Sequence, residues 1–268
     1  MRYMQTTAVL TLTLCGAAAP GAFRGGAVLT NDAWNAAASA AIGQTVTVTR
    51  HYALFDEADD TLLQASLDRV PFEAYESVHT IGGHSLYQHE FGRDDVNGVT
   101  QAGIDLLPDL AWDSFLTLGP TIRSDVFQSF FQAGGPVEFL DDGIGIADEG
   151  FSSVVWTLLP AEVAGEGTLY AGTAGMEHNL FDEATGLYGV AIAQMTVLGA
   201  HDEFTSFSQA GAREDIFASR LFRGGAVLHW NDFLGDSPVR ENLIYAVPTP
   251  AAGLLFGLGF ASTLRRRR

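Results

Sequence analysis

The 268-residue chain has no Lys, so all 14 of its basic residues are Arg. It has a single cysteine, Cys15, which cannot pair within the chain and so excludes a disulfide scaffold. Positive charge is scarce: 32 acids against 14 arginines give a formal charge of −18. A chain this acidic repels phosphates, which speaks against nucleic-acid binding. Apolar residues make up 47% of the chain, enough for a globular core and against global disorder. The length allows one large β domain or two small ones.

The scarce positive charge is placed unevenly. Arg2 is the only charge in residues 1–22. It precedes an apolar run, Ala8 to Leu14, and the small residues Cys15 to Ala19. A positive start, a short apolar stretch and a small-residue exit make a secretory signal peptide. Gly16 and Ala18 supply the small −3 and −1 side chains, so the expected signal is 1–18, cut before Ala19. A lipoprotein box would need a small residue before Cys15, and Leu14 stands there. Cys15 is therefore expected to leave with the signal, and a mature chain without cysteine suits an oxidising exterior.

Four of the arginines, Arg265, Arg266, Arg267 and Arg268, close the chain. They follow an apolar run, Ala251 to Leu264, which follows Val247-Pro248-Thr249-Pro250. As a helix the run would be about 21 Å long, short of the ~30 Å hydrocarbon core. The prolines break the preceding element, and the arginines would hold the end on the cytoplasmic side of an inner membrane. This three-part arrangement resembles a PEP-CTERM sorting signal, a C-terminal tag of exported proteins in Gram-negative bacteria. Pro248, Pro250, the apolar run and the cluster Arg265, Arg266, Arg267 and Arg268 match the pattern, and Thr249 replaces its Glu. The resemblance implies processing by an exosortase-like enzyme after passage through the Sec machinery and signal peptidase. A plain tail anchor has the same topology until cleavage.

Between the tags, alternation outweighs helical period. Within Gln44 to Phe55, Val46 and Val48 alternate with Thr45, Thr47 and Thr49, the pattern of a half-buried strand. Trp112 to Leu118, Ser153 to Leu159, Ala226 to Trp230 and Asn242 to Val247 read as further strands, and the nearly chargeless Leu187 to Leu198 as a central one. Gly, Pro, Asn and Asp clusters separate them. Short helices are expected at 32–41, 99–107 and 210–220. The expected fold is mainly β: one antiparallel β-sandwich or jelly-roll-like domain over 46–246, with a few short helices. An Ala-rich lead-in, 19–45, precedes it, and the sorting signal, 247–268, follows it. Phe23 to Leu29 (FRGGAVL) recurs identically as Phe222 to Leu228, without a periodic array, and reads as two equivalent edge strands. The order LYQHEFG, PDLAWDSFLTLG, GVAIAQMTV also resembles a group of uncharacterised exported β-rich PEP-CTERM proteins. That resemblance implies fold and export, and it transfers no catalytic residue.

Candidate chemistry is thin. Gly83-His84-Ser85-Leu86-Tyr87 starts like a nucleophile elbow, but Tyr87 stands where the second Gly is needed, so Ser85 is not expected to act. His79, His84 and His89 are five apart, which puts successive histidines on opposite strand faces and does not suit zinc. Asp141, Asp142, Asp148 and Glu149 form the best calcium candidate, though not at EF-hand spacing. Asp56, Glu57, Asp59 and Asp60 are a second acidic cluster, which reads as a solvated face. Trp230 or Tyr170 could stack on a sugar, with core packing the commoner fate. No enzyme and no cofactor other than calcium is expected. The expected function is that of an exported cell-envelope or matrix protein near surface polysaccharide. The alternative is a secreted carbohydrate-binding or glycan-hydrolysing domain.

Overall fold

The computed structural model describes residues 23–66, 77–92, 99–122, 130–133, 138–139, 150–152, 155–158, 172–211, 216–231 and 239–246. They are mainly β, in antiparallel sheets with few, short helices. In chain order the strands are β1 (Phe23–Leu29), β2 (Val46–Phe55), β3 (Thr61–Ser66), β4 (Ser77–Thr80), β5 (Phe115–Leu116), β6 (Phe130–Ala133) and β7 (Glu138–Phe139). They continue as β8 (Gly150–Ser152), β9 (Val155–Leu158), β10 (Leu180–Asp182), β11 (Leu187–Leu198), β12 (Ile216–Ala218), β13 (Phe222–Asn231) and β14 (Val239–Ala246). The helices are α1 (Asp32–Ile42), α2 (Gln101–Leu106) and the single turn α3 (Phe207–Ala210), with a 3-10 turn at Pro108–Trp112.

The first sheet has the order β1-β2-β11-β10, with β5 also paired to β11. The second runs β6-β9-β3-β13-β4-β8-β7. In it β14 pairs with β13, and β12 runs parallel to β14. β3 and β4 lie end to end along the same edge of β13, facing its two halves.

β2 shows why the first sheet forms. Its alternating Val and Thr suit a pleated strand, and both of its faces are covered. Val46 and Val48 pack with Trp34, Ala38 and Ile42 of α1. Tyr52 and Leu54 pack with Phe207 and Ala210 of α3. On the opposite face Ala53 and Phe55 enter a buried cluster shared with the second sheet. That cluster includes Ile192 and Met195 of β11 with Phe217, Phe222, Leu228 and Trp230 of β12 and β13. Ring contacts cross between the sheets: Phe55 to Trp230 at 5.5 Å, and His51 to Phe222 at 4.6 Å.

Two bulges change which side chains reach this cluster. Opposite β2, Ala191 pairs with Tyr52 and Ala193 with His51, so Ile192 is the extra residue. Ile192 and Ala193 therefore both face the shared cluster. In β1, Phe23 pairs with Phe55 and Gly25 with Leu54, so Arg24 is extra, and Gly25 takes φ +100°. Phe23 thus faces the shared cluster while Ala27 and Leu29 face α3. The identical heptapeptide in β13 pairs with β4 without a bulge, and Phe222, Ala226 and Leu228 all face the shared cluster. The two copies are not equivalent edge strands. β1 pairs with β2 alone among the named strands, whereas β13 lies between β14 and β3 with β4.

Within 19–45, the described residues form β1 and α1, and both pack on β2. Asn31 caps α1 by accepting the Trp34 N–H at 2.8 Å, and Gly43, at φ +81°, ends it. Past Leu29, β2 has no β1 partner, and α1 takes over. Asn35 Oδ1 accepts the Val48 N–H, and Ser39 Oγ accepts the Val46 N–H.

The other expectations divide. Helix 99–107 is present as α2, capped by Thr100. Of 112–118 only Phe115–Leu116 is strand, because the 3-10 turn begun at Pro108 runs to Trp112. The expected helix at 210–220 is absent among the described residues. α3 starts earlier, at the Ser206 cap, and stops at Gly211 (φ +67°), while Ile216–Ala218 is strand. No described helix is long and apolar enough to cross a membrane, and residues 247–268 lie outside the described ones.

His51 is fully buried, and burial lowers its pKa from 6.5 to about 3. As pH falls below 6.5, the unfolded chain takes up a proton that the folded ring refuses, so stability drops by about 1.4 kcal/mol per unit. Between about pH 7.5 and about pH 4.5, the urea-unfolding free energy of the native chain should therefore fall by about 2–3 kcal/mol more than that of His51→Leu. Equal losses in the two proteins would contradict the buried neutral imidazole.

Candidate functional site

α1 and α3 cover different ends of the first sheet's outer face, and a groove of about 220 Å³ lies between them. Trp34, Asn31, Leu180, Asp182, Ser206 and Phe207 line it, from three distant segments of the chain. Each is held by local geometry. Asn31 is the α1 cap, and Ser206 caps α3 by accepting the Gln209 N–H. Trp34 lies in the first turn of α1, with the Arg50 guanidinium 4.3 Å from its ring centre. Arg50 Nε in turn donates to Gln194 Oε1 at 3.1 Å. Asp182 Oδ2 accepts from the Thr185 N–H at 3.1 Å and the Thr185 hydroxyl at 2.6 Å, which closes the β10–β11 turn. Phe207 packs edge-on to Tyr52 at 5.6 Å. Gly189 makes room for it, since a Cβ there would lie 2.5 Å from the Phe207 ring. Asp182 is the single ionisable residue in the groove's described lining.

The wall formed by Thr205 to Phe207 begins two residues after Glu203. That carboxylate is only 3% exposed. It accepts the Ser219 hydroxyl at 2.7 Å and the backbone N–H groups of Phe204, Arg220 and Leu221 at 3.1 Å. Burial pushes its pKa up, these hydrogen bonds pull it down, and burial prevails. Phe204, next in the chain, accepts the Thr30 N–H at 2.7 Å. Glu203 thus joins the end of β1 to the turn between β12 and β13.

The three sequence-flagged histidines go to three different surroundings. His79 accepts from Arg223 Nε, and burial and that cation hold it below its ordinary pKa. His84 lies against His201, with ring centres 4.2 Å apart and the rings tilted by 48°. His89 is buried. Its Nδ1 accepts the Phe91 N–H at 3.0 Å, its Nε2 lies 3.3 Å from Asp109 Oδ1, and its backbone N–H donates to Asp113. Tyr87 donates to the second Asp109 oxygen at 3.1 Å, and burial with that carboxylate raises its pKa. With both ring nitrogens engaged, His89 locks a loop and has no free lone pair for base catalysis. Among the described residues no group of three or more His, Cys, Asp or Glu is placed to hold a metal.

Asp56 is ion-paired with Arg24, Glu57 and Asp59 are exposed, and Asp60 is buried. Among the described residues, no helix starts directly after Ser85, as a nucleophile elbow would need. The Ser85 carbonyl accepts the Leu198 N–H, and Leu86 bridges Val197. Trp230 is a core residue. Tyr170 and the calcium candidates Asp141, Asp142, Asp148 and Glu149 lie outside the described residues. So do all eight sorting residues: Val247, Pro248, Thr249 and Pro250 of the proline motif, and Arg265, Arg266, Arg267 and Arg268 of the terminal cluster. Sequence reasoning did not single out the groove residues, because no spacing relates segments 31–34, 180–182 and 206–207. No protein-family model matches the chain, and neither does any curated protein or solved structure.

Glu203→Ala strands the buried donors that converge on the carboxylate. It should lower unfolding free energy by about 3 kcal/mol or more, read from urea titration. A loss below about 0.5 kcal/mol, typical of a surface substitution, would contradict the tie.

Proposed function

We propose that the chain is an exported protein of the cell envelope or extracellular matrix, sorted through its PEP-CTERM-like tail. One observation carries the reading: residues 247–268 combine a proline motif, an apolar run too short for an ordinary span and a terminal arginine cluster. The route begins with the Sec machinery and signal peptidase at 1–18, holds the tail transiently in the inner membrane, and ends with an exosortase-like enzyme. The body reads as a β-sandwich of jelly-roll type, supported by the buried cluster that both sheets share. Its proposed role is non-enzymatic, beside surface polysaccharide.

The carbohydrate-binding alternative gains support from the groove beside Trp34. The glycan-hydrolysing version gains none there. Hydrolysis needs two carboxylates flanking one bond, and the groove's described lining offers Asp182 alone.

Residues 247–268 appended to an unrelated exported reporter should direct it to the envelope and be removed, in a cell that carries an exosortase. Changing Arg265, Arg266, Arg267 and Arg268 together into serines should abolish both effects. A reporter that keeps its tail and stays soluble in the periplasm would overturn the sorting role.

A further inference from the structure

We infer that the groove between α1, β10 and α3 holds one neutral sugar ring of a surface polysaccharide. This rests on the carbohydrate-binding reading and gives it a place and a ligand chemistry. The volume, about 220 Å³, lies below the ~300–1,000 Å³ of pockets for drug-sized ligands, so the groove suits a single ring.

The lining is chemically divided. Trp34 and Leu180 offer apolar surface for the C–H face of a pyranose. Asn31, Asp182 and Ser206 offer polar groups for its hydroxyls. The Asn31 side-chain carbonyl oxygen is occupied by the Trp34 N–H, which leaves its amide N–H groups as donors. Asp182 uses Oδ2 in its turn, which leaves Oδ1 as an acceptor. A vicinal diol donates and accepts at once and is complementary to such a pair. These polar groups are already fixed by two helix caps and one turn, so little side-chain freedom is lost on binding.

Charge selects further. The described lining has one carboxylate and no cation, the Arg50 guanidinium against Trp34 lies outside that lining and is shared with Gln194, and the chain carries a formal −18. Phosphate, sulfate or uronate on the sugar would be repelled. The ligand is therefore a neutral pyranose, and one ring in so small a groove binds at about millimolar strength.

The test is an NMR titration of the mature protein, following the Trp34 indole N–H, one of four Trp signals in the chain. The probes are the methyl glycosides of glucose, galactose, mannose and N-acetylglucosamine, with glucuronate and glucose 6-phosphate alongside. At least one neutral glycoside should shift the Trp34 signal, and the charged probes should bind at least about tenfold more weakly. Leu180→Trp, which fills the groove from a strand end 38% exposed, should weaken binding about tenfold or more at unchanged thermal stability. The shift in the native protein stands as a test even if that variant misfolds. A glycoside that binds without moving Trp34, or as tightly to a folded Leu180→Trp variant, overturns the groove and leaves the carbohydrate-binding reading intact. Binding of none of the neutral glycosides overturns both. Tighter binding of the charged probes overturns the neutral-ligand assignment.

Discussion

The α3 end of the first sheet's outer face depends on one buried side chain, Glu203. Glu203 is surrounded by donors from Phe204 on one side and from Ser219, Arg220 and Leu221 on the other. A charge in such a place is tolerable only when its lone pairs are filled. Filling them fixes the turn that starts β13, the strand between β14 and β3 with β4. It also fixes Phe204 against the end of β1. The chain then runs straight into the Ser206 cap and Phe207. One buried side chain thus ties the turn before β13 to the end of β1 and to the segment that forms one wall of the groove.

Parity is the second constraint. A strand's side chains alternate, so an inserted residue reverses which of them meet the core. The chain uses this twice in the first sheet, at Arg24 and at Ile192. The two FRGGAVL segments isolate the effect. In β1 the bulge sends Ala27 and Leu29 toward α3, and in β13 the unbulged pairing sends Ala226 and Leu228 to the shared cluster. Gly26 belongs to the same arrangement. A Cβ there would lie 2.7 Å from the Phe217 ring, so β12 can approach β1 as it does.

What could be read beforehand was local. β2 and β11 announce themselves by β-branched alternation and by a long chargeless run, and α1 by Asn31, its alanines and Gly43. The misreadings share a cause as well. Phe217 looks helical in sequence but sits in a short strand parallel to β14, a pairing that depends on a segment about 28 residues away. Trp112 looks like strand, but Pro108 starts a 3-10 turn that carries Trp112 to the α1 cluster instead. Bulge positions, the Glu203 donors and the groove all depend on partners remote in sequence. No periodicity reports them.

If the proposed route holds, the molecule is two address segments and a delivered body. Removing 1–18 and 251–268 takes away five arginines and no acid, so the formal charge moves from −18 to −23. On the proposed sorting route, Arg2 and the four terminal arginines would set topology, and nine arginines would stay with the body. Mass spectrometry of the protein isolated from its native envelope tests this division most directly. A chain that begins at Ala19 and lacks Arg265, Arg266, Arg267 and Arg268 is the predicted result. A chain that still carries Met1 or its terminal arginines would contradict it.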